Sequence, residues 1–439
     1  MIKLDDFQQS IVHFFADDEK GPIRLSGGAG SGKSEVIKEC QKVLPYHSTV
    51  YLAPTGKAAL NLAGRGQTIH RYFKLEQHPL PPNYLPNVEP YQLAYMKSLT
   101  HLVIDEISMV RADIFNAMEH ILRKVKGNDL PWGGVKVMVV GDFSQLAPVL
   151  EGGFSEAFYI EQHHGGKFAF QTEAWKNSNF THFHLTKCYR QNEEKFIHHL
   201  NIIRNCQDTK ILKRTLKWFN RNIKITSEVE PDVFQICPKR KDVAAINRRM
   251  YKALDSDEIQ YDAMIKGYFP FQDYPTEKIL KLKLHCPVRI TKNKYCPKTG
   301  EPIHVNGNTG IIIGGNEHVI EVMTDDGRSI QVKNDYWEHC EYNEYAMGGA
   351  NRLNKTIRGT FTQMPLAVNF AGTIHSAQGA SLSRVHLHLD SAFFEAGQLY
   401  VALSRARSLA GLTMSRELSI KDIQTNLDVI AFEEAFKAG

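Results

Sequence analysis

The 439-residue chain is short of the features that would assign it quickly. Its seven cysteines, Cys40, Cys188, Cys206, Cys237, Cys286, Cys296 and Cys340, are scattered and contain no C-x-x-C pair. That excludes the common zinc sites and a disulfide framework, and makes reduced thiols in a cytoplasm-like compartment the expectation. No run of about 18 apolar residues occurs, which excludes an ordinary membrane-spanning helix. The opening Met1-Ile2-Lys3-Leu4-Asp5-Asp6-Phe7 carries acids where a secretory or mitochondrial signal would not. Positive charge is also sparse: a net +5 permits a nucleic-acid partner without demanding one.

What is present is globular. With 42% hydrophobic and 23% charged residues the chain can bury sizeable cores, and its length predicts two or three domains.

Residues Gly27-Gly28-Ala29-Gly30-Ser31-Gly32-Lys33-Ser34 satisfy G-x-x-x-x-G-K-[ST]. They follow a short apolar strand, Pro22 to Ser26, and precede a helical pattern from Glu35 to Val43, the context a phosphate-binding loop requires. Gly28, Gly30 and Gly32 let the backbone curl so that N–H groups face anionic oxygens at a helix start. Lys33 is expected at the terminal phosphates of ATP and Ser34 on magnesium. A plain Gly-rich turn explains the glycines but not the Lys–Ser pair between strand and helix.

Leu99 to Met109 deliver Asp105 and Glu106 at the end of a second apolar strand, where ligands bind in open α/β sheets. Asp105 is expected to share the Mg2+ held by Ser34, and Glu106 to orient and deprotonate the attacking water. Capping a helix is the bland alternative. A further buried strand, Val135 to Gly141, ends in Asp142 and Gln145, and Gln145 is placed to sense a γ-phosphate. Strand–helix alternation of this kind predicts an α/β fold with parallel sheets.

Other stretches are less specific by themselves. Gln8 and Gln9 lie on a helix capped by Asp5 or Asp6; an amide can read an adenine edge, although a solvated helix residue is the commoner case. Pro54, Thr55 and Lys57 after one strand, and Thr68, His70, Arg71 and Phe73 after the next, combine hydroxyls, cations and rings suited to phosphate contact and base stacking. Loops often contain the same mixture. Five prolines in residues 78–90 predict a stiff, projecting insertion. Residues 311–365 read as a small β module with a turn at Asp326-Gly327.

Together these stretches resemble the motifs of superfamily-one helicases, and within them the petite-integration-frequency (PIF) family, with RecD-like enzymes as near relatives. The likeness runs from Gln8 to Arg405 and is carried by Asp105 to Met109, Leu130 to Gly134 and Gly141 to Val149. Trp132 stands where phenylalanine is more usual. It implies two RecA-like domains with ATP between them: 1–180 first, 181–310 with 366–439 second. It further implies a wedge-type insertion at 74–98 and an SH3-like module at 311–365.

By the same resemblance, Gln8 lies at the adenine, Tyr189 stacks on the base, and Arg190 and Arg405 close on the γ-phosphate, Arg405 as an arginine finger. Gly379 joins the nucleotide set. Pro54, Thr55, Lys57, Thr68, His70, Phe73, Asn306, His375 and Gln378 lie along single-stranded DNA, with Gln145 coupling it to ATP. One departure is visible: Ser376-Ala377 replaces a Lys-Ser pair, which removes a lysine from the DNA side. The implied activity is an ATP-dependent DNA helicase moving 5′-to-3′ on single strands and acting on tailed or forked duplexes. It is expected to work as a monomer away from membranes, in a bacterial or viral-host cytoplasm or at the nucleoid. A DNA-stimulated ATPase that remodels nucleoprotein without unwinding is the alternative. A binding module with vestigial hydrolysis is disfavoured because Lys33, Ser34, Asp105, Glu106, Gln145, Arg190 and Arg405 are all present.

Overall fold

The computed structural model describes residues 4–62, 65–150, 152–296, 302–347 and 350–436, without the side chains of 342–355. Six short strands form the first sheet: β1 (Ile23–Gly27), β2 (Thr49–Ala53), β3 (Gly66–Thr68), β4 (His101–Ile104), β5 (Lys136–Gly141) and β6 (Thr181–Leu185). They pair in parallel in the order β3-β2-β4-β5-β1-β6. Every residue of β1, β2 and β4 is buried, as expected for a sheet covered on both faces.

The two faces sort by alternation along the strands. On one, Leu25, Tyr51, Val103 and Val140 pack with Ile11 and Phe15 of α1 (Asp6–Ala16) and with Val36, Ile37 and Cys40 of α2 (Lys33–Val43). On the other, Leu52, Leu102, Ile104 and Val139 meet Phe73, Phe115, Trp132, Phe143 and Trp175. Helix α1 starts at a reciprocal cap: the Asp5 carboxylate accepts from the Gln8 backbone N–H at 2.8 Å, and the Gln8 Oε1 accepts from the Asp5 N–H at 3.2 Å.

Two expected boundaries shift. Thr181–Leu185 pairs with β1 from Ile23↔Thr181 to Gly27↔Leu185, so the first α/β unit extends past residue 180. The proline-rich stretch does not simply project. Leu80, Tyr84 and Met96 enter the first core, and Leu80 donates its N–H to Asp113 Oδ2 at 2.8 Å while its carbonyl meets His164 Nε2 at 2.9 Å. The prolines prevent helix only as far as Pro90, which starts the helix Pro90–Ser98 with Tyr91 and Tyr95 exposed.

The second parallel sheet runs in the order Ala371–Thr373, Phe234–Cys237, Val385–Leu387, Leu412–Met414, Lys224–Ile225. Its core gathers Phe196, Leu200 and Phe219 with Leu399, Val401 and Leu403. Between its strands lies more β structure than the 311–365 expectation. A five-stranded antiparallel sheet uses Thr309–Gly315, Val319–Thr324 and Ser329–Lys333, and adds Pro287–Ile290 and then Leu366–Val368 beyond Thr309–Gly315. The Asp335–Met347 and Ala350–Gln363 strands form a long hairpin joined by Met264–Gly267. The expected tight turn is present, with Gly327 at φ +84° donating to Thr324 O at 2.9 Å. Among the described residues no helix is long and apolar enough to cross a membrane.

The last helix, Leu427–Ala435, returns to the first unit. Phe432 stacks on Phe170 with centroids 4.2 Å apart, and the buried Arg24 guanidinium of β1 lies 4.6 Å from the Phe432 centroid while pairing with Glu433. Phe432→Ala is expected to cost about 3 kcal/mol, read by urea unfolding, and to make this helix an early site of limited proteolysis.

Candidate active site

The loop after β1 is shaped by close contacts. At Gly30 (φ +78°) a Cβ would lie 2.4 Å from Arg190 Cβ, and at Gly32 (φ +90°) 2.5 Å from Gln8 Nε2. Gly30 therefore needs glycine on steric and conformational grounds, and Gly32 on conformational ones. Gly32 caps α2, and the first helical residue, Lys33, donates from Nζ to the carbonyls of Gly27 (2.8 Å) and Gly28 (2.9 Å). Burial pulls the Lys33 ammonium below its usual range, and the charges of Asp142, Glu106 and Asp105 oppose that shift. Ser34 is exposed beside it.

Asp105 is buried at the end of β4, and its Oδ1 accepts the Glu106 N–H at 2.8 Å. Burial, then the neighbouring Glu106 charge, push its carboxyl up to about 7. Glu106 is held at φ +50°, a left-handed conformation that is uncommon outside glycine. Its Oε2 accepts from Gln378 Nε2 at 3.2 Å, although 272 residues separate the two. Gly379 follows with an ideal Cβ position 3.9 Å from Glu106 Oε1. The turn after strand Ala371–Thr373 thus meets the carboxylate pair, and Gly379 lies by Glu106.

The facing wall comes from the second sheet. The Ala29 N–H donates to Tyr400 Oη at 2.8 Å, so the phosphate-type loop is closed by a tyrosine of helix Gln398–Leu403. Arg190 Nη1 reaches Ser404 O at 3.2 Å, and Gln191 Nε2 reaches Ala406 O at 2.9 Å. Arg405 is 1% exposed, and its guanidinium is fixed by Val401 O (2.9 Å), Ala380 O (3.2 Å) and Ser404 Oγ (2.7 Å). Burial and then Arg190 lower it to about 9, with Glu106 opposing. A guanidinium held this way needs little reorganisation to face developing negative charge.

Gln145 Nε2 donates to Asp142 Oδ2 at 3.3 Å, and Asp142 is gripped by Arg204 through Nε (3.0 Å to Oδ2) and Nη2 (2.9 Å to Oδ1). Gly397 (φ +80°) presses on the same segment, its ideal Cβ position only 2.5 Å from Gln145 O. Sequence reading missed Tyr400, Gln191 and Arg204. Arg204 did leave a signal: it falls at helical spacing on the stripe Phe196, Leu200, Ile203, where a cation needs a buried partner.

At the other end of the loop, Gln8 is buried and donates to Ser31 O at 3.4 Å, so it is not the solvated helix residue of the bland reading. Tyr189 donates its N–H to Gly30 O (2.8 Å) and its hydroxyl to Asp5 Oδ2 (2.7 Å). The Gln8 N–H and the Tyr189 hydroxyl hold Asp5 below the ordinary carboxylate range.

The remaining expected residues lie on segments that meet beside Ser376 or near it in the first sheet. Pro54 ends β2, and Thr55 and Thr68 cap the short helices Gly56–Leu60 and Ile69–Phe73, accepting from Ala58 N–H (3.2 Å) and Arg71 N–H (3.3 Å). Lys57 Nζ crosses to Ser376 O at 2.9 Å, bringing an ammonium to the position where the lysine of Lys-Ser is missing. Exposed Asn306 and its neighbour Gly307 abut the same helix, with the Gly307 ideal Cβ position 3.0 Å from Lys57 Cβ. His375 Nε2 lies 3.0 Å from Glu395 Oε2. Burial, then Arg111, push the half-buried His70 below its usual range. Phe73 does not belong to this set. Its ring is wholly buried against Tyr72 in the first core, centroids 4.8 Å apart, so no face is free for a base.

A PIF1-like helicase family model matches residues 4–211. The ATP-dependent DNA helicase PIF1 of Danio rerio is 30% identical over 426 residues, which cover 93% of this chain and 61% of that one. The chain therefore spans 61% of the length of that relative. The ATP-dependent DNA helicase Pif1 of Bdellovibrio bacteriovorus is 28% identical over 419 residues, covering 94% of this chain and 87% of the other. The crystal structure of Bacteroides Pif1 bound to ssDNA matches the whole chain and 98% of its own, at 31% identity with a TM-score of 0.86. Matched over its whole length by a Pif1 structure at 31% identity and by a PIF1-like family model across its first half, the chain belongs to the PIF1-like helicase family.

Proposed function

We propose that this protein is an ATP-dependent DNA helicase that moves 5′-to-3′ along single-stranded DNA as a monomer and unwinds tailed or forked duplexes. The observation that carries the reading is the Gln378–Glu106 hydrogen bond. It links a turn on the DNA side to the carboxylate best placed to activate water. The names of the relatives support the activity, and the polarity rests on the family alone.

Gln8 and Tyr189 frame the adenine. Lys33 leaves the Gly27 and Gly28 carbonyls for the terminal phosphates, which are cradled by the backbone at Gly28, Gly30 and Gly32. Ser34 and Asp105 are the residues that would hold magnesium, whose charge would screen the phosphates. A hydroxyl beside a carboxylate that suffers from burial as an anion suits a cation that takes one or two protein ligands and completes its shell with phosphates and water. Glu106 orients and deprotonates the water, while Arg190 and Arg405 stabilise charge on the transferred phosphoryl group. Gln145 reports phosphate occupancy through Asp142 and Arg204 to the second unit.

On the DNA side, Pro54, Thr55, Lys57, Thr68, His70, Asn306, His375 and Gln378 contact the strand, with Lys57 supplying charge beside Ser376. Gly379 lets the backbone pass close to Glu106. Closure on ATP and opening after hydrolysis alternate the grip of the two units. Tyr91 and Tyr95, exposed on Pro90–Ser98, are the wedge residues.

Lys33→Ala is expected to abolish ATP turnover while largely sparing binding of a single-stranded oligonucleotide; DNA-stimulated hydrolysis surviving in that variant refutes the loop assignment. Arg405→Ala should reduce kcat by about 10³ or more with little change in KM for ATP, and a change in KM alone excludes the finger role. Unwinding is tested on duplexes bearing a 5′ or a 3′ single-stranded tail. Activity on the 5′-tailed substrate is expected, activity only on the 3′-tailed one reverses the polarity, and hydrolysis without unwinding of either identifies a remodelling ATPase.

A further inference from the structure

The helix Thr209–Asn222 and the edge strand that follows carry a dense row of positive charge. Residues 209–224 contain Lys210, Lys213, Arg214, Lys217, Arg221 and Lys224 and no acid. Since the whole chain nets +5, the remainder nets −1. The five helical cations follow at spacings of three, one, three and four, which keeps them on one face. The opposite face is apolar and anchored: Leu212, Leu216 and Phe219 are buried in the second core.

All six basic residues are exposed, and among the described residues none of their side chains makes a salt bridge or hydrogen bond. Like charges three and four apart oppose helix formation, so the row has a structural cost and no internal counter-ion. It is also remote from Gln378. In the second sheet, Lys224–Ile225 and Ala371–Thr373 are the two opposite edges.

We infer that this face is a second nucleic-acid contact, one that holds double-stranded DNA by its phosphates. The inference rests on the proposed action on DNA. Single-strand sites interleave cations with rings on which bases stack. Here no ring stands in the row, and the one tryptophan nearby, Trp218, is half-buried with His199 stacked on it at 4.1 Å. A straight row of cations about 17 Å long from Lys210 to Arg221, at 1.5 Å per residue, suits the regular charge of a duplex backbone, whose bases are hidden. Among the described residues, only Ile211 and Ile225 are exposed apolar residues beside the row, too few for an amphipathic helix to enter a lipid surface.

The test uses the full chain with all six residues changed to Gln, which keeps helix propensity. The probe is a blunt-ended duplex without single-stranded tails, titrated across salt concentrations. Duplex affinity at low salt should fall by about tenfold or more, and the slope of log K against log salt should flatten by about 0.9 for each phosphate no longer neutralised. ATP hydrolysis stimulated by a single-stranded oligonucleotide should be unchanged. A half-set, Lys213→Gln with Lys217→Gln and Arg221→Gln, should give an intermediate slope, and Lys→Arg at the four lysines should bind like the parent. Unchanged duplex affinity and slope in both Gln variants overturn the inference. So does a loss confined to anionic vesicles, which would make the partner a membrane. If the parent fails to unwind yet the slopes change as described, duplex docking stands and the helicase reading falls.

Discussion

The structure depends on burying ionised groups together where the C-terminal edge of the first parallel sheet meets segments of the second unit. Lys33, Asp105, Glu106 and Asp142 come from the first sheet, and Arg190, Arg204 and Arg405 approach from the segments that face it. Separately, most of these charges would be too costly to desolvate. Together the opposite charges counter one another's burial shifts: Asp142, Glu106 and Asp105 act against the depression of Lys33, and Arg204 holds Asp142 in its charged form. The cleft is therefore an electrostatic closure as well as a steric one.

The constraint accounts for the tight backbone contacts around it. Gly30 admits Arg190, Gly32 admits Gln8 and Gly397 admits the carbonyls of Ser144 and Gln145. Gly30 and Gly397 let one unit approach the other closely enough for the polar bridges to form, while the Gly32–Gln8 contact lies within the first unit. The C-terminal helix strengthens the same boundary from behind, where Glu433 neutralises the Arg24 cation of β1. Separation of the units would expose several of these pairs together, so the cleft is suited to two discrete arrangements more than to gradual deformation.

Much of this is legible in the chain. The phosphate loop, Asp105–Glu106 and Gln145 lie at the ends of apolar strands, and a strand end with polar residues is a local pattern. Local steric rules also identify the Asp326-Gly327 turn and the absence of helix through the prolines before Pro90. The failures are of another kind. Phe73 resembles a stacking ring because sequence does not say which side of a five-residue helix faces the core. Residue 180 reads as a boundary because Thr181–Leu185 has an alternating polar pattern, and only its pairing with β1 assigns it to the first sheet. The β insertion reads as too small because strands such as Pro287–Ile290 are short, and their partners are distant in the chain.

The sequence by itself determined the chemistry available: a loop that cradles phosphate, two carboxylates, a set of arginines and an α/β alternation that puts them at strand ends. These follow from backbone sterics and hydrophobic periodicity, which act over a few residues. Tertiary structure alone decided which groups meet. Gln378 reaches Glu106, Tyr400 closes on Ala29, Lys57 stands in beside Ser376 and Arg204 grips Asp142. Such contacts depend on the packing of two sheets whose segments are far apart in the chain, and no local rule encodes that packing.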